Sequence, residues 1–220
     1  MAGSDKKEAR KFLPKDNRGY SNKVTAVLKL IIVLLILPVL VAHTRGLLNT
    51  LSTLESQLVV SFWFGVFVFF LIDLIIFKLN GLYKGGQKII EAVFRFFAPL
   101  FKFAPYVLPI YTIIILVFSL AMDFFGGISS NQNMLMNLCA FSTVLHLVYT
   151  ADAFRSRQSD FLKAGHFFTI SLIYLCNLFV LAFAIDRILP NSSFFASFFH
   201  NSSDFSRDIY TAIFNQLFSI

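Results

Sequence analysis

Residues 58–77 read LVVSFWFGVFVFFLIDLIIF, a run of 20 residues in which Asp73 is the one charged side chain. At a rise of about 1.5 Å per residue, a helix of this length is about 30 Å long, which matches the hydrocarbon core of a bilayer. The run therefore predicts a membrane-spanning helix.

Four further apolar blocks recur along the chain at comparable lengths, at residues 24–42, 106–122, 134–149 and 167–185. The composition agrees with this pattern, because 57% of the 220 residues are hydrophobic and only 14% are charged. Soluble globular proteins carry roughly 25% charged residues. We therefore predict an all-α polytopic transmembrane bundle of about five spans, and the composition excludes a soluble enzyme.

The basic residues fall mainly on one side of the predicted spans. The tail at residues 1–23, the loop at 78–105 and the loop after the fourth span bring 15 Lys and Arg residues to that side, against three on the other. Because short loops rich in Lys and Arg stay in the cytoplasm, we predict a cytoplasmic N-terminus, an external C-terminus and a cell membrane of the bacterial inner-membrane type. We expect the basic tail to contact anionic lipid headgroups, and we expect no nucleic acid partner.

Two regions outside the spans have amphipathic patterns. Residues 190–220 predict an external segment made of two short amphipathic segments on the outer interface, 194–199 and 205–220. The Asn-Ser-Ser triplets at Asn191 and Asn201 predict turns, with glycosylation in a secretory organism as the alternative. Residues 86–103 predict an interfacial helix. The charged side chains of that helix share one stripe: Lys88, Glu91, Arg95 and Lys102.

The strongly polar side chains inside the predicted spans include Asp73, His146 and Asn177. A charge at the centre of a bilayer costs about 2.5 to 3.5 kcal/mol, so each of these residues is a candidate for a functional site. Structural alternatives stay open. Asp73 can pair with Lys78, His146 can hydrogen-bond to a neighbouring helix or bind a metal, and Asn177 can hold two helices together.

A series of short motifs between residues 57 and 185 resembles the small bacterial membrane metallopeptidases of the site-2-protease type. The motifs are Phe77-Lys78, then Gly86-Gln-Lys-Ile-Ile-Glu-Ala-Val-Phe94, then Phe103-Ala-Pro-Tyr-Val-Leu-Pro-Ile-Tyr-Thr112, and finally Arg157-Gln-Ser-Asp160 followed by Gly165. The resemblance implies a helix that carries His-Glu-x-x-His, with two zinc ligands one turn apart and a glutamate as the general base.

This chain departs from that motif at each position that carries the chemistry. Gln87 and Glu91 stand at the two ligand positions, and Lys88 stands at the position of the general base. An amide is a poor zinc ligand, and a protonated lysine takes no proton from water. The resemblance therefore implies a degenerate site with no catalytic residues and no cofactor, with a zinc ion held by Glu91, His146 and Asp160 as the alternative.

These observations favour an integral membrane protein that acts by binding, either to a membrane protein partner or to a transmembrane segment, as a metallopeptidase-like pseudoenzyme. A small transporter or lipid-handling protein is one alternative, with Asp73, His146 and Asn177 along a polar path. A structural subunit of a membrane complex is another, favoured by the 29 Phe residues of the chain.

Overall fold

The computed structural model describes residues 18–76, 79–93, 104–124, 131–156, 164–189 and 192–218 of the chain. No strand occurs in these ranges, so the predicted all-α class is confirmed. In chain order the helices are α1 (Arg18–Ser52), α2 (Ser56–Ile76), α3 (Leu79–Val93), α4 (Ala104–Val107), α5 (Ile110–Phe124), α6 (Gln132–Ser156), α7 (Ala164–Ile188) and α8 (Phe194–Phe218).

Membrane-spanning helices are confirmed by length and composition. Four helices contain a segment long and apolar enough to cross a bilayer, at Leu30–Ser52, Ser56–Ile75, Gln132–Ala153 and Phe167–Ile188. The remaining predicted span corresponds to a shorter apolar helix, Ile110–Met122.

The first span lies further along the chain than residues 24–42. Helix α1 continues to Ser52, beyond the predicted end of the span at residue 42. The polar side chains in this part bond back to the carbonyl four residues earlier: Thr44 to Leu40 at 2.8 Å and Thr50 to Gly46 at 2.8 Å. These bonds satisfy the hydroxyl groups within the helix, so the polar sequence does not end it.

The predicted span at 106–122 is interrupted. Helix α4 ends at Val107 and α5 begins at Ile110, with Leu108 and Pro109 outside both helices. Proline has no backbone N–H, and it disfavours helical geometry for the residue before it, so the helix is interrupted at this point.

The order of contacts shows how the helices cross the bundle. Helices α2 and α6 run in the same direction, because Gly65 lies against Asn137 and Asp73 accepts a hydrogen bond from Tyr149 further along both helices. Since α2 and α6 run through the bundle in the same direction, another helix must bring the chain back between them. Helix α5 makes that return, since it begins beside the middle of α6 and ends a few residues before α6 starts.

Helix α3 occupies the predicted interfacial segment, but it begins at Leu79 rather than at residue 86. Its buried residues, Tyr83, Gly86 and Ile90, recur at helical spacing and face the bundle, so α3 is amphipathic over residues 79–93. Gly86 lies within α3 at a close approach to α5, because a Cβ at that position would lie 2.6 Å from Ile110 Cγ2. Residues 94–103 and the predicted basic tail up to residue 17 lie outside the described residues.

The C-terminal region differs from the prediction of two short segments. It is one helix, α8, which packs along α1 in the opposite direction. Asn201 donates to Thr50 Oγ1 at 3.0 Å, and Tyr210 donates to the carbonyl of Leu35. The predicted turn at Asn201 is therefore wrong. The far end of α8 lies toward the same end of the bundle as the beginning of α1, whereas the charge count predicts opposite sides for the two termini.

Phenylalanine rings fill much of the contact between α1, α7 and α8. Phe179 on α7 lies 5.6 Å from Phe198 on α8, ring centre to ring centre, and 5.4 Å from the ring of His43 on α1. Phe198 is fully buried. Edge and tilted ring contacts of this kind add to the free energy gained from burial alone. They explain why α8 adheres to the bundle despite its polar sequence.

Candidate functional site

The residues at the degenerate motif positions do not face one common cleft. Gln87 is half-buried, and its Nε2 donates to the hydroxyl of Tyr83 at 2.9 Å. Lys88 and Glu91 are exposed on the outside of α3. The two positions that would carry zinc ligands in the metallopeptidases therefore differ in environment, because one is turned to α6 and the other to the surroundings of the protein.

Gln87 belongs to a chain of hydrogen bonds that joins three helices. From Gln87 the chain passes to Tyr83 OH, which lies 2.9 Å from Thr150 Oγ1 on α6. Thr150 Oγ1 lies 3.4 Å from His146 Nε2, which lies 3.1 Å from the carbonyl oxygen of Tyr106 in α4. This polar chain, from Gln87 through Tyr83, Thr150 and His146 to Tyr106, is the candidate site at this end of the bundle.

The contact with Tyr106 defines which nitrogen of His146 carries a proton. A carbonyl oxygen only accepts hydrogen bonds, so Nε2 of His146 donates in this contact. A nitrogen that donates its proton in this way has no lone pair for a metal ion at the same time. His146 is buried, as expected for a residue that bonds to a neighbouring helix.

The space next to the polar chain is closed. The gap at its centre has no room for a water molecule. The residues around the gap are Tyr83, Gln87, Ile90, Leu108, Ile110, Tyr111, Leu145 and His146.

Asp73 is held by an aromatic residue on α6. The hydroxyl of Tyr149 donates to Asp73 Oδ1, and the ring of Tyr149 stacks on Tyr83 with 5.8 Å between ring centres. Sequence reasoning missed Tyr149, because a tyrosine at the end of a span is also typical of an interfacial residue. The predicted pairing of Asp73 with Lys78 stays untested, since Lys78 lies outside the described residues.

Asn177 joins α7 to the break between α4 and α5. Its Nδ2 donates to the carbonyl of Val107 at 3.2 Å and to that of Ile173 at 2.8 Å. The side chain is fully buried, and its Oδ1 has no hydrogen-bond partner among the residues that the structure describes. The predicted role of Asn177 as a link between helices agrees with these contacts.

A second buried polar contact lies between α5 and α6. Thr112 Oγ1 lies 2.9 Å from Ser142 Oγ and 3.1 Å from Thr143 Oγ1. Sequence reasoning missed these hydroxyl groups because serine and threonine are common in spans. The signal that was available is the spacing on α6, where Ser142, His146 and Thr150 follow at intervals of four and share one face.

The alternative metal site is not assembled by the residues that can be placed. Within the described ranges, no three His, Cys, Asp or Glu side chains lie together as a metal site requires. Glu91 is exposed whereas His146 is buried, and Asp160 lies outside the described residues. A zinc site at Glu91, His146 and Asp160 therefore stays a prediction.

Comparison with known proteins does not assign this chain to a family. No protein family model, curated protein or solved structure matches this chain. Function must therefore be argued from the geometry of the bundle itself.

Proposed function

We propose that this protein is an integral membrane protein that acts by binding a membrane partner and not by hydrolysis. The proposal rests on the hydrogen bonds made by three candidate residues within the spans. Asp73, His146 and Asn177 each bond to another helix of the bundle. Their contacts hold the helices together, and they do not converge on an open cleft.

The outer face of α3 is the surface that we assign to the partner. Lys84 and Lys88 are exposed on one side of this face, and the apolar side chains of Leu82, Ile89 and Val93 are exposed on another side of the helix. Basic and apolar side chains together suit the boundary between lipid and cytoplasm. A transmembrane partner would meet Ile89 and Val93 within the acyl region, while anionic headgroups or acidic side chains near the membrane surface would meet the two lysines.

The resemblance to site-2-protease-type metallopeptidases is part of this proposal. A scaffold that once held a substrate segment near α3 would retain this surface after Gln87, Lys88 and Glu91 had replaced the zinc ligands and the general base. The cytoplasmic location of α3 and of the N-terminus, in a membrane of the bacterial inner type, follows from the charge bias and belongs to the proposal as well.

Photo-crosslinking in native membranes tests the binding surface. A photoreactive amino acid replaces Ile89 on α3 or, as the control, Leu74 on α2, which is exposed to a similar or greater degree. We expect a discrete adduct with one membrane protein from position 89, lost in the double variant Lys84→Glu/Lys88→Glu, and only lipid adducts from position 74. Adducts of the same kind from both positions, or none from position 89, would contradict the proposal.

Metal content and proteolysis test the absence of hydrolysis. Protein purified in detergent should contain far less than one zinc ion per chain, and it should leave a panel of fluorescent transmembrane peptides intact. Stoichiometric zinc together with cleavage that a chelator abolishes would end the non-hydrolytic proposal.

A small transporter is the second candidate, and the break between α4 and α5 favours it. Discontinuous helices that expose backbone carbonyls in the membrane often surround transport sites. Beside this break, the buried Oδ1 of Asn177 lacks a partner within the described part of the chain. In proteoliposomes, Asp73→Asn and Asn177→Ala should then abolish a solute or proton flux. A flux that is absent in the wild type, or that survives both substitutions, would remove this candidate.

A further inference from the structure

Helix α8 is long enough to cross a bilayer, but its sequence is too polar for an ordinary span. Its 25 residues are about 37 Å long, against about 30 Å for the hydrocarbon core. Charged side chains oppose insertion at the centre of a bilayer, so α8 on its own favours the membrane surface or water. The ionisable residues in its central part are His200, Asp204, Arg207 and Asp208.

The contacts of α8 with α1 nevertheless lie at the depth of a span. Near one end of the span Leu30–Ser52, Asn201 donates to Thr50 Oγ1 at 3.0 Å. Toward the other end of the same span, Tyr210 donates to the carbonyl of Leu35. Helix α8 continues for about two turns beyond Tyr210, so it reaches the depth at which the span of α1 begins.

Close packing against α1 compensates for the polar sequence of α8. A Cβ at Gly46 would lie 2.9 Å from the Cα of Ser202, so the two backbones approach each other as small residues allow in membrane helices. Within α8, Asp204 lies 3.2 Å from Arg207 and 3.3 Å from His200. These charge pairs lower the cost of insertion wherever α8 lies, whereas the contact with Gly46 exists only along α1.

Helix α1 also gains from the contact. Arg45 is an exposed cation inside the span Leu30–Ser52, and its guanidinium lies 4.6 Å from the centre of the Phe205 ring on α8. A cation over an aromatic face is stabilised, and more strongly where water is excluded. The two helices therefore each supply a partner for a polar group of the other within the depth of the span.

We propose that α8 crosses the membrane and that its contact with α1 holds it there. The apolar spans insert through their own composition, whereas α8 inserts because α1 receives it. The end of α8 then lies on the same side of the membrane as the beginning of α1. The proposal goes beyond the binding function assigned to α3 and does not depend on it.

Thiol labelling with a membrane-impermeant maleimide tests the crossing in the full-length chain. In a background with Cys139→Ala and Cys176→Ala, single cysteines replace one of three exposed residues: Gln216 near the end of α8, Gly81 on α3 or Gln57 at the start of α2. In sealed vesicles of both orientations, Gln216→Cys should react from the same side as Gly81→Cys, and Gln57→Cys from the opposite side. Reaction of Gln216→Cys from the side of Gln57→Cys, from both sides equally or from neither side would overturn the crossing.

Substitution of Gly46 tests whether α1 holds α8 in the membrane. Gly46→Leu fills the contact with Ser202, so labelling of Gln216→Cys from the side of Gly81→Cys should fall by roughly fivefold or more. Asn49→Leu is the control, because it adds the same side chain at an exposed position of α1, and it should leave the labelling unchanged. Unchanged labelling in Gly46→Leu would overturn the dependence of α8 on α1.

Removal of the charges separates this effect from a general failure to fold. With Asp204→Leu, Arg207→Leu and Asp208→Leu, α8 becomes apolar enough to insert without help. Added to Gly46→Leu, these three substitutions should restore labelling of Gln216→Cys from its original side, and a misfolded bundle would not recover. Labelling that stays at the level of Gly46→Leu alone would overturn the proposal. The α3 crosslinking result would be unaffected, because it uses none of these residues.

Discussion

Asn177 on α7 donates a hydrogen bond to the carbonyl oxygen of Val107, 3.2 Å away, at the point where α4 ends. The last carbonyls of a helix have no donor within the helix, and Pro109 supplies none from the following residues. His146 on α6 satisfies the neighbouring carbonyl of Tyr106 in the same way. Two polar residues on separate spans therefore stabilise the interruption between α4 and α5. They bond to carbonyls that the interrupted helix leaves without a backbone donor, which explains how the interruption is tolerated inside an apolar bundle.

Replacing Asn177 with Asp tests this relationship without changing the shape of the side chain. The substitution removes both N–H donors and places a carboxylate oxygen beside two carbonyl oxygens, so the free energy of unfolding should fall by roughly 2 kcal/mol. The measurement is chemical unfolding in detergent micelles. Asn133→Asp is the matched control, because Asn133 is exposed in the first turn of α6, where a negative charge is favourable. Equal stability of the two variants would contradict a supporting role for Asn177.

Sequence reasoning identified the fold class and the unusual residues, but not their partners. The apolar runs predict membrane helices because a bilayer demands them at that length, and Asp73, His146 and Asn177 are conspicuous within those runs. Their partners are Tyr149 and the backbone carbonyls of Tyr106 and Val107. A tyrosine is common near the ends of spans, and every residue has a backbone carbonyl. The sequence therefore predicts neither the tyrosine nor the carbonyls as the partners.

The position of α8 in the bundle could not be predicted from the sequence either. Its polar residues are typical of helices on the membrane surface, which is the arrangement that residues 190–220 predict. The structure places them along α1 because Ser202 fits closely against Gly46 and because Phe198 packs against the rings of His43 and Phe179. Such complementarity depends on which helices are neighbours, and neither composition nor periodicity carries that information.

The close approach of α3 to α5 predicts a large difference between two glycines of the same helix. A Cβ at Gly86 would lie 2.6 Å from Ile110 Cγ2 and 2.9 Å from Tyr111 Cε2, whereas a Cβ at Gly81 would meet nothing within 4 Å. Gly86→Ala should therefore destabilise the protein by about 1 to 3 kcal/mol through overpacking. Gly81→Ala should be neutral or stabilising by about 0.5 to 1 kcal/mol, because alanine favours the helix. Thermal unfolding of the two variants in the same detergent measures the difference, and similar midpoints would show that α3 does not contact α5 in this way.

The polar chain predicts an energetic coupling between Tyr83 and Thr150. Their hydroxyl oxygens lie 2.9 Å apart in a buried environment, so Tyr83→Phe and Thr150→Val each remove one partner of the same bond. In a double-mutant cycle of unfolding free energies, we expect a coupling of about 0.5 to 1.5 kcal/mol. The control cycle combines Tyr83→Phe with Ser119→Ala, since the hydroxyl of Ser119 bonds to Leu116 within α5. A coupling no larger than that of the control would show that Tyr83 and Thr150 are neighbours without a shared bond.

The carboxylate of Asp186 predicts how firmly α8 is attached to the end of α7. Asp186 Oδ1 accepts from the backbone N–H of Phe195 at 3.1 Å, while Oδ2 accepts from Arg187 at 2.7 Å. The residue therefore caps the first turn of α8 from the preceding helix, where a negative charge also interacts favourably with the helix dipole. Asp186→Ala should cost about 1 to 2 kcal/mol of stability.

Hydrogen exchange followed by mass spectrometry locates this effect. In Asp186→Ala, the amides at the start of α8 should exchange faster while those in the middle of α6 keep their rates, because only the α8 cap is lost. Asp186→Asn retains an oxygen that can accept from Phe195, so it should lie between the wild type and the alanine variant. If exchange at the start of α8 were the same in all three proteins, the cap would have no energetic role, and the ring contacts of Phe198 with His43 and Phe179 would account for the attachment of α8 instead.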